Sequence, residues 1–497
     1  MSSCIFRSCM RNLHDSGEMA WPEKADCVIG CCLSSMNNLM YINSSTLFVD
    51  TITCNVHKGP SRHDFLKERL VDLVPAVQTS FKDFKKQYSD QVIDTITVGQ
   101  LLGGMRDIKC LYHEPSLLDK NEGITFRNMR LDEIKTRLCY EEISGQPLPE
   151  AVFWLLLTGE VPTLQQVKWL SGEWARRAEL PYYLVNIINS FPDNLHPMAK
   201  LSASVTLLSR YSKFSLAYEA GGVPKTELWK PMYEDCMNLI AKLPVIAGLI
   251  YRNTFHDGCM GSIDPENDWS KNYAKLLNIN KQDDFVEYMR LYLAIHADHE
   301  GGNASSHTAS LVGSTLSDVF LSYAAAMNAL AGPLHGRANQ EVVDWIETML
   351  TTLKQTNPSE ETIESYCVES LKSSVIPGFG HAVLRKTDPR YTLIRGFAEK
   401  HLQSNVSIEV VDKVKKVVTK LLSNSSKVKN PWPNVDGISG TVFKELNLHE
   451  YDYYTVPFGV SRALGICSAI IWARALALPL ERPKSMDMKE LVGTLKK

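Results

Sequence analysis

The sequence has no excess of either charge: 53 lysines and arginines stand against 56 aspartates and glutamates in 497 residues. That balance excludes the broad positive footprint that nucleic acid or an anionic membrane surface selects for. No apolar run reads as a membrane span, because residues 464–480 are interrupted by Arg474 and ended by Pro479. Paired cysteine spacing is missing from the body too. Half of the 12 cysteines (Cys4, Cys9, Cys27, Cys31, Cys32, Cys54) fall early, and the rest are scattered singly, without the spacing of a zinc site or disulfide framework. The body therefore reads as a reduced intracellular protein. There is no Walker phosphate loop and no Gly-x-Ser-x-Gly elbow. Gly378-Phe379-Gly380 opens like a dinucleotide loop, but Val383 holds the third glycine position and no βαβ unit surrounds it. His296 and His299 lack the zincin helix spacing, so a metal-dependent hydrolase is a weak reading.

What is present is a long chain with an apolar fraction of 44%, enough for a large core and, by length, two to four domains. Residues 1–60 lack a clear amphipathic period. Arg7 and Arg11 among serines and cysteines suit a mitochondrial presequence, whereas Asp15, Glu18, Glu23 and Asp26 do not. From about Ser61 the helical period dominates. Val410, Val411, Val414, Val418, Leu421 and Leu422 form one apolar stripe among lysines, and those lysines read as a solvated face. A second helix is expected after Asn339 as N-cap, with Glu341 in its first turn. Residues 319–331 are apolar nearly all round, as in a buried helix, and Gly332-Pro333 stops them. Strand-period segments are few, and the fold class is mostly α.

Four segments put polar and ionisable residues where helices break. They are His296-Ala297-Asp298-His299-Glu300-Gly301-Gly302-Asn303, then Gly332-Pro333-Leu334-His335-Gly336, then residues 377–390, and finally residues 430–437 followed by Phe458-Gly459-Val460-Ser461-Arg462 and Glu481-Arg482-Pro483-Lys484. Each has an ordinary reading taken alone. Loop histidines are commonly satisfied surface or core residues. Glycines beside them serve turns. Asp388-Pro389 is a good helix start, with Asp as N-cap and Pro at the first helical position. Trp432 between two prolines makes a rigid packed turn.

Taken in order, however, Asp298-His299-Glu300-Gly301-Gly302-Asn303, Gly-Pro-Leu-His335-Gly, Gly-Phe-Gly-His381-Ala-Val with Asp-Pro-Arg390, Asn-Pro-Trp-Pro-Asn-Val-Asp436 and Gly-Val-Ser-Arg462 resemble the citrate synthase family, in particular its larger eukaryotic type. The resemblance runs from about Ser61 to the C-terminus. It implies a large helical domain, residues 61–335 and 441–497, and a smaller helical domain, residues 336–440, with the active site in the cleft between them. It also implies condensation of acetyl-CoA with oxaloacetate to citrate and CoA, the first step of the tricarboxylic acid cycle, in the mitochondrial matrix. No cofactor and no metal are implied, and neither nucleic acid nor membrane insertion.

By the same resemblance Asp436 is the base that takes a proton from the acetyl methyl, with partial burial raising its basicity. His335 donates to the thioester oxygen as a neutral imidazole, a state ascribed to the helix N-terminus near Asn339. His381 polarises the ketone of oxaloacetate. His299, Arg390, Arg462 and Arg482 hold that substrate's carboxylates, and Arg482 reaches in from the second subunit of a homodimer. Pro377, Gly378, Phe379, Gly380 and Asn434 belong to the CoA site, with Arg106, Arg385, Lys427 and Lys429 facing its phosphates. Arg337 and Pro457 depart from the small or aliphatic residues expected there. Propionyl-CoA as donor, giving 2-methylcitrate, and a non-catalytic paralogue remain the alternatives.

Overall fold

The computed structural model describes residues 65–279, 282–425 and 428–496. The expected lead, residues 1–60, lies outside the described residues. As expected, the described fold is mostly helical, and its only sheet among them is a small antiparallel meander of β1 (Ser116–Asp119), β2 (Gly123–Phe126) and β3 (Met129–Arg130). Asp119 Oδ1 accepts the Asn121 and Glu122 amides at 2.7 and 2.8 Å, which makes the β1–β2 turn. Ser116 then pairs with Phe126 in register. This meander was not legible as an alternating pattern because the strands have only four, four and two residues.

Two long helices form the centre. Trp229–Phe255 is buried along most of its length, and Thr455–Ala475 is apolar on every face, with Pro457 and Arg462 among its buried residues. A helix without a polar face must be enclosed by other elements. The segment Tyr451–Ala475 is long and apolar enough to cross a membrane, but 89% of its apolar window is buried in protein, as in a core helix. The sequence reading placed the apolar segment too late, because the run begins before Leu464.

Helix ends follow local chemistry and set the site. Asn303 caps Ala304–Ser314, its Oδ1 accepting the Ser306 amide at 3.1 Å. Asp388 caps Pro389–His401 with proline in the first turn, as the sequence predicts. Val319–Leu330 is buried and stops before Gly332-Pro333. One expectation fails. The helix Ala338–Leu353 starts two residues earlier than predicted, so Asn339 is a buried residue of its first turn and Arg337 holds the cap position.

In Val406–Ser423 the predicted valine stripe is buried, but its lysines do more than face solvent. Lys416 and Lys420 pair with Glu360 and Glu364 at 2.7 and 3.2 Å, and Lys415 lies 4.9 Å from the centre of the Tyr391 ring. The two ion pairs are largely exposed and contribute little stability.

Candidate active site

Two loops are joined into one unit. The Asn434 amide donates to Gly378 O at 3.0 Å, the Gly380 amide to Trp432 O at 3.0 Å, and the Asp388 amide to Pro433 O at 3.2 Å. Phe379 and Pro433 form an antiparallel bridge between the loops. Gly378 and Gly380 have φ of +82° and +83°, a region that side chains disfavour. A Cβ on Gly378 would also lie 2.8 Å from Gly437 Cα, so this approach requires glycine. His381 and Asp436 are therefore carried on the two halves of one clamped pair.

Asn434 completes the clamp. Its Nδ2 donates to Gly380 O at 3.1 Å, and its Oδ1 accepts the Asp436 amide at 3.0 Å. Asp436 opens the helix Asp436–Glu445. Burial pushes its carboxyl up to about 7, against the opposing pull of Arg390.

The imidazoles are uncharged, and their tautomers follow from fixed backbone donors. His381 Nδ1 accepts the Val383 and Leu384 amides at 3.0 and 3.1 Å, so the neutral ring carries its proton on Nε2. Burial, reinforced by Arg390, pushes its pKa down to about 4. His335 has the opposite tautomer. Its Nε2 accepts the Ser305 amide at 3.3 Å and lies 3.0 Å from Ser305 Oγ, which leaves the proton on Nδ1. Burial and then Arg462 push His335 down to about 4.

Burial and Arg462 are the leading causes of that neutrality, and among the described residues no hydrogen bond joins the ring to the helix that begins beside Asn339. A helix N-terminus does meet His335, but it belongs to Ala304–Ser314, through the Ser305 amide. His299 is buried with its Nε2 unbonded among the described residues, and its ring centre lies 5.4 Å from that of His381. Burial, Arg390, His381 and Arg462 hold it well below the usual histidine range.

Two guanidiniums supply the positive charge. Arg390 is bonded through two nitrogens to Asp388, at 3.1 and 2.7 Å, so Asp388 anchors an arginine as well as capping a helix. Arg462 is buried at 1% exposure. It donates to His296 O at 3.1 Å and Asn303 Oδ1 at 3.0 Å, and its guanidinium lies 4.8 Å from the centre of the Phe458 ring. No ion pair to Arg462 occurs among the described residues, and burial pushes its pKa down to about 10. A buried guanidinium held by neutral acceptors is a receptor for an anion.

Below this cluster, Asp298 Oδ2 meets His113 Nε2 at 2.8 Å and the Ser116 hydroxyl at 2.7 Å. Burial pushes that carboxyl up, but His113, Arg462 and Ser116 together hold it below the ordinary range. Gly465 provides the room: a Cβ there would lie 2.5 Å from Asp298 Cγ. Sequence reasoning singled out none of Ser305, His113 or Ser116. A serine two residues after a helix cap carries no signal of the backbone amide that matters, and His113 sits far away in the chain.

Other predicted residues are placed less centrally. Arg482 is exposed and makes no hydrogen bond or ion pair among the described residues. Arg106 and Lys429 are likewise exposed. Arg385 folds back on its own loop, donating to Val383 O and Leu384 O at 2.7 and 2.8 Å. Lys427 lies outside the described residues.

Comparison with known proteins agrees with the motifs. A family model described as "Citrate synthase, C-terminal domain" matches residues 104–484. A protein of Glossina morsitans morsitans named "Probable citrate synthase, mitochondrial" is 51% identical over 434 residues, 87% of this chain and 93% of that protein. The "Citrate synthase, mitochondrial" of Xiphias gladius is 51% identical over 429 residues, 86% of this chain and 91% of its own. Among solved structures, the citrate synthase of Thermoplasma acidophilum, in a ternary complex with carboxymethyl coenzyme A and oxaloacetate, matches with a TM-score of 0.66. It covers 79% of this chain and 96% of its own at 20% identity, a likeness of fold alone.

The opposite tautomers are directly measurable. Nitrogen-15 NMR of the imidazoles at pH 6 should show His335 protonated on Nδ1 and His381 on Nε2, both neutral. A doubly protonated ring at either position would contradict the geometry.

Proposed function

The chain belongs to the citrate synthase family, and we propose that it condenses acetyl-CoA with oxaloacetate to citrate and free CoA, with Asp436 as base. The supporting observation is the combination of a carboxylate pushed up to about 7 with two imidazoles of opposite tautomer pushed down to about 4. A base near neutrality can take a proton from a weak carbon acid only if the forming enolate is stabilised at once. His335 Nδ1–H meets the thioester oxygen as that charge develops. His381 Nε2–H polarises the ketone of oxaloacetate, whose carbon the enolate attacks to form the new carbon–carbon bond. Water then adds to the thioester of citryl-CoA, which releases citrate and CoA.

Arg390, Arg462 and His299 take the carboxylates of oxaloacetate. The exposure of Arg482, which has no side-chain hydrogen bond or ion pair among the described residues, fits a role in the site of a second subunit. The loop Pro377, Gly378, Phe379 and Gly380, with Asn434, meets the adenine of CoA. Arg385, Arg106, Lys429 and Lys427 meet its phosphates, Arg385 by releasing its loop carbonyls. No metal and no cofactor enter this scheme, and no membrane insertion. The mitochondrial names of the relatives support a matrix location.

Residues 336–440 form the smaller domain in this reading and close over oxaloacetate, which excludes water before acetyl-CoA reacts. Small-angle scattering should then show a smaller radius of gyration with oxaloacetate than without it; an unchanged curve counts against closure.

The chemistry is tested by thiol release from acetyl-CoA. It should require oxaloacetate and fall about 10²–10⁴-fold in Asp436→Asn. Because the folded carboxyl titrates near 7 and the ionised form is the base, the rate should drop as pH falls through that value. Release without oxaloacetate, an unaffected variant, or a preference for propionyl-CoA would each overturn the assignment.

A further inference from the structure

Arg474, in the last turn of Thr455–Ala475, is 4% exposed. Every other deeply buried arginine of the fold has visible partners. Arg390 has Asp388, Arg290 has Asp268 and Glu287, and Arg462 has a carbonyl and an amide oxygen. Arg252, at 7% exposed, bonds Cys259 O. The Arg474 side chain has no hydrogen bond and no ion pair among the described residues, and its Nε is enclosed and unbonded. Burial lowers its pKa with no carboxylate offsetting it. The negative end of its helix favours a cation there, but by less than enclosing a lone charge costs.

The arginine lines a cavity of about 260 Å³ whose walls include Leu111, Ile470, Trp472, Leu476 and Leu478. The carboxylates in the wall are already committed. Glu114 accepts from the Tyr112 hydroxyl at 2.6 Å and pairs with Arg127 at 2.9 Å, and Glu481 lies 3.3 Å from His307. The cavity thus combines largely apolar walls with one positive charge that has no counter-ion among the described residues. It meets the proposed catalytic cluster only at its edge, through His113 and Gly301.

We propose that this cavity is a second ligand site, which takes a small amphipathic monocarboxylate with its head on Arg474 and its tail against Leu111, Ile470 and Trp472. One unbalanced charge calls for a monoanion, and apolar walls exclude a hydrophilic diacid such as oxaloacetate. An apolar cavity of about 150 Å³ already admits benzene, so this one takes a ligand of about ten non-hydrogen atoms.

Octanoate is a probe of that size and chemistry. Equilibrium dialysis with the full chain saturated by citrate, which occupies the Arg390 and Arg462 site, should show one octanoate bound per chain. Arg474→Met should weaken binding at least tenfold, and the uncharged 1-octanol should bind at least tenfold more weakly than octanoate. Leu478→Trp keeps the arginine, fills the cavity and should abolish binding, which guards against a misfolded arginine variant. Displacement of octanoate by citrate, equal affinity in Arg474→Met, retained binding in Leu478→Trp, or no binding at all would overturn the proposal.

Discussion

Two guanidiniums enclosed beside three uncharged imidazoles are the constraint on which the rest of this structure depends. Arg390 and Arg462 cannot be neutralised at physiological pH, and each acts on its neighbours through a medium of low polarity. Burial is the leading cause that keeps all three imidazoles neutral, and the arginines add to it: both at His299, Arg390 at His381 and Arg462 at His335. Neutral imidazoles can donate one proton and accept at the other nitrogen, and each of His335 and His381 has its accepting nitrogen fixed by backbone amides. The remaining N–H is thereby aimed. A folded chain that concentrates positive charge this way is prepared for a diacid.

Asp436 is raised by the same enclosure that lowers the histidines, since burial disfavours whichever form is charged. One environment therefore moves a carboxylate and two imidazoles toward each other's range. The clamp between residues 377–384 and 430–437 delivers this environment. It depends on glycine at position 378, where a side chain would meet the backbone at Gly437. It also depends on Asn434, which ties Gly380 to Asp436 through one amide group. Asn434 thus acts inside the clamp, whatever it also offers to a nucleotide.

Much of this was legible because helix breaks and ionisable residues coincide in the chain. The valine stripe from Val410, the buried helix before Gly332-Pro333 and the Asp388 cap all follow from period and cap chemistry. What could not be read is contact between distant segments. The partner of His335 is a backbone amide at Ser305, and the partner of Asp298 is His113 on the approach to a strand. Neither leaves a trace in composition or spacing. The dipole ascribed to the helix near Asn339 was assigned from chain proximity, whereas burial and Arg462 dominate in space. Arg385 looked free for phosphate because sequence does not show a guanidinium folding back on its own loop.

Arg462 offers the most direct test of the central claim, since it lacks a carboxylate partner among the described residues and sits beside His296, Asn303 and Ser305. Calorimetric titration of oxaloacetate into the native chain and into Arg462→Met would read its contribution. The account predicts a loss of affinity of at least about 100-fold, the scale of a buried charge pair broken at one side, roughly 3 kcal/mol. Equal affinity in a folded variant would show that the diacid is held elsewhere and that the enclosed charge serves another purpose.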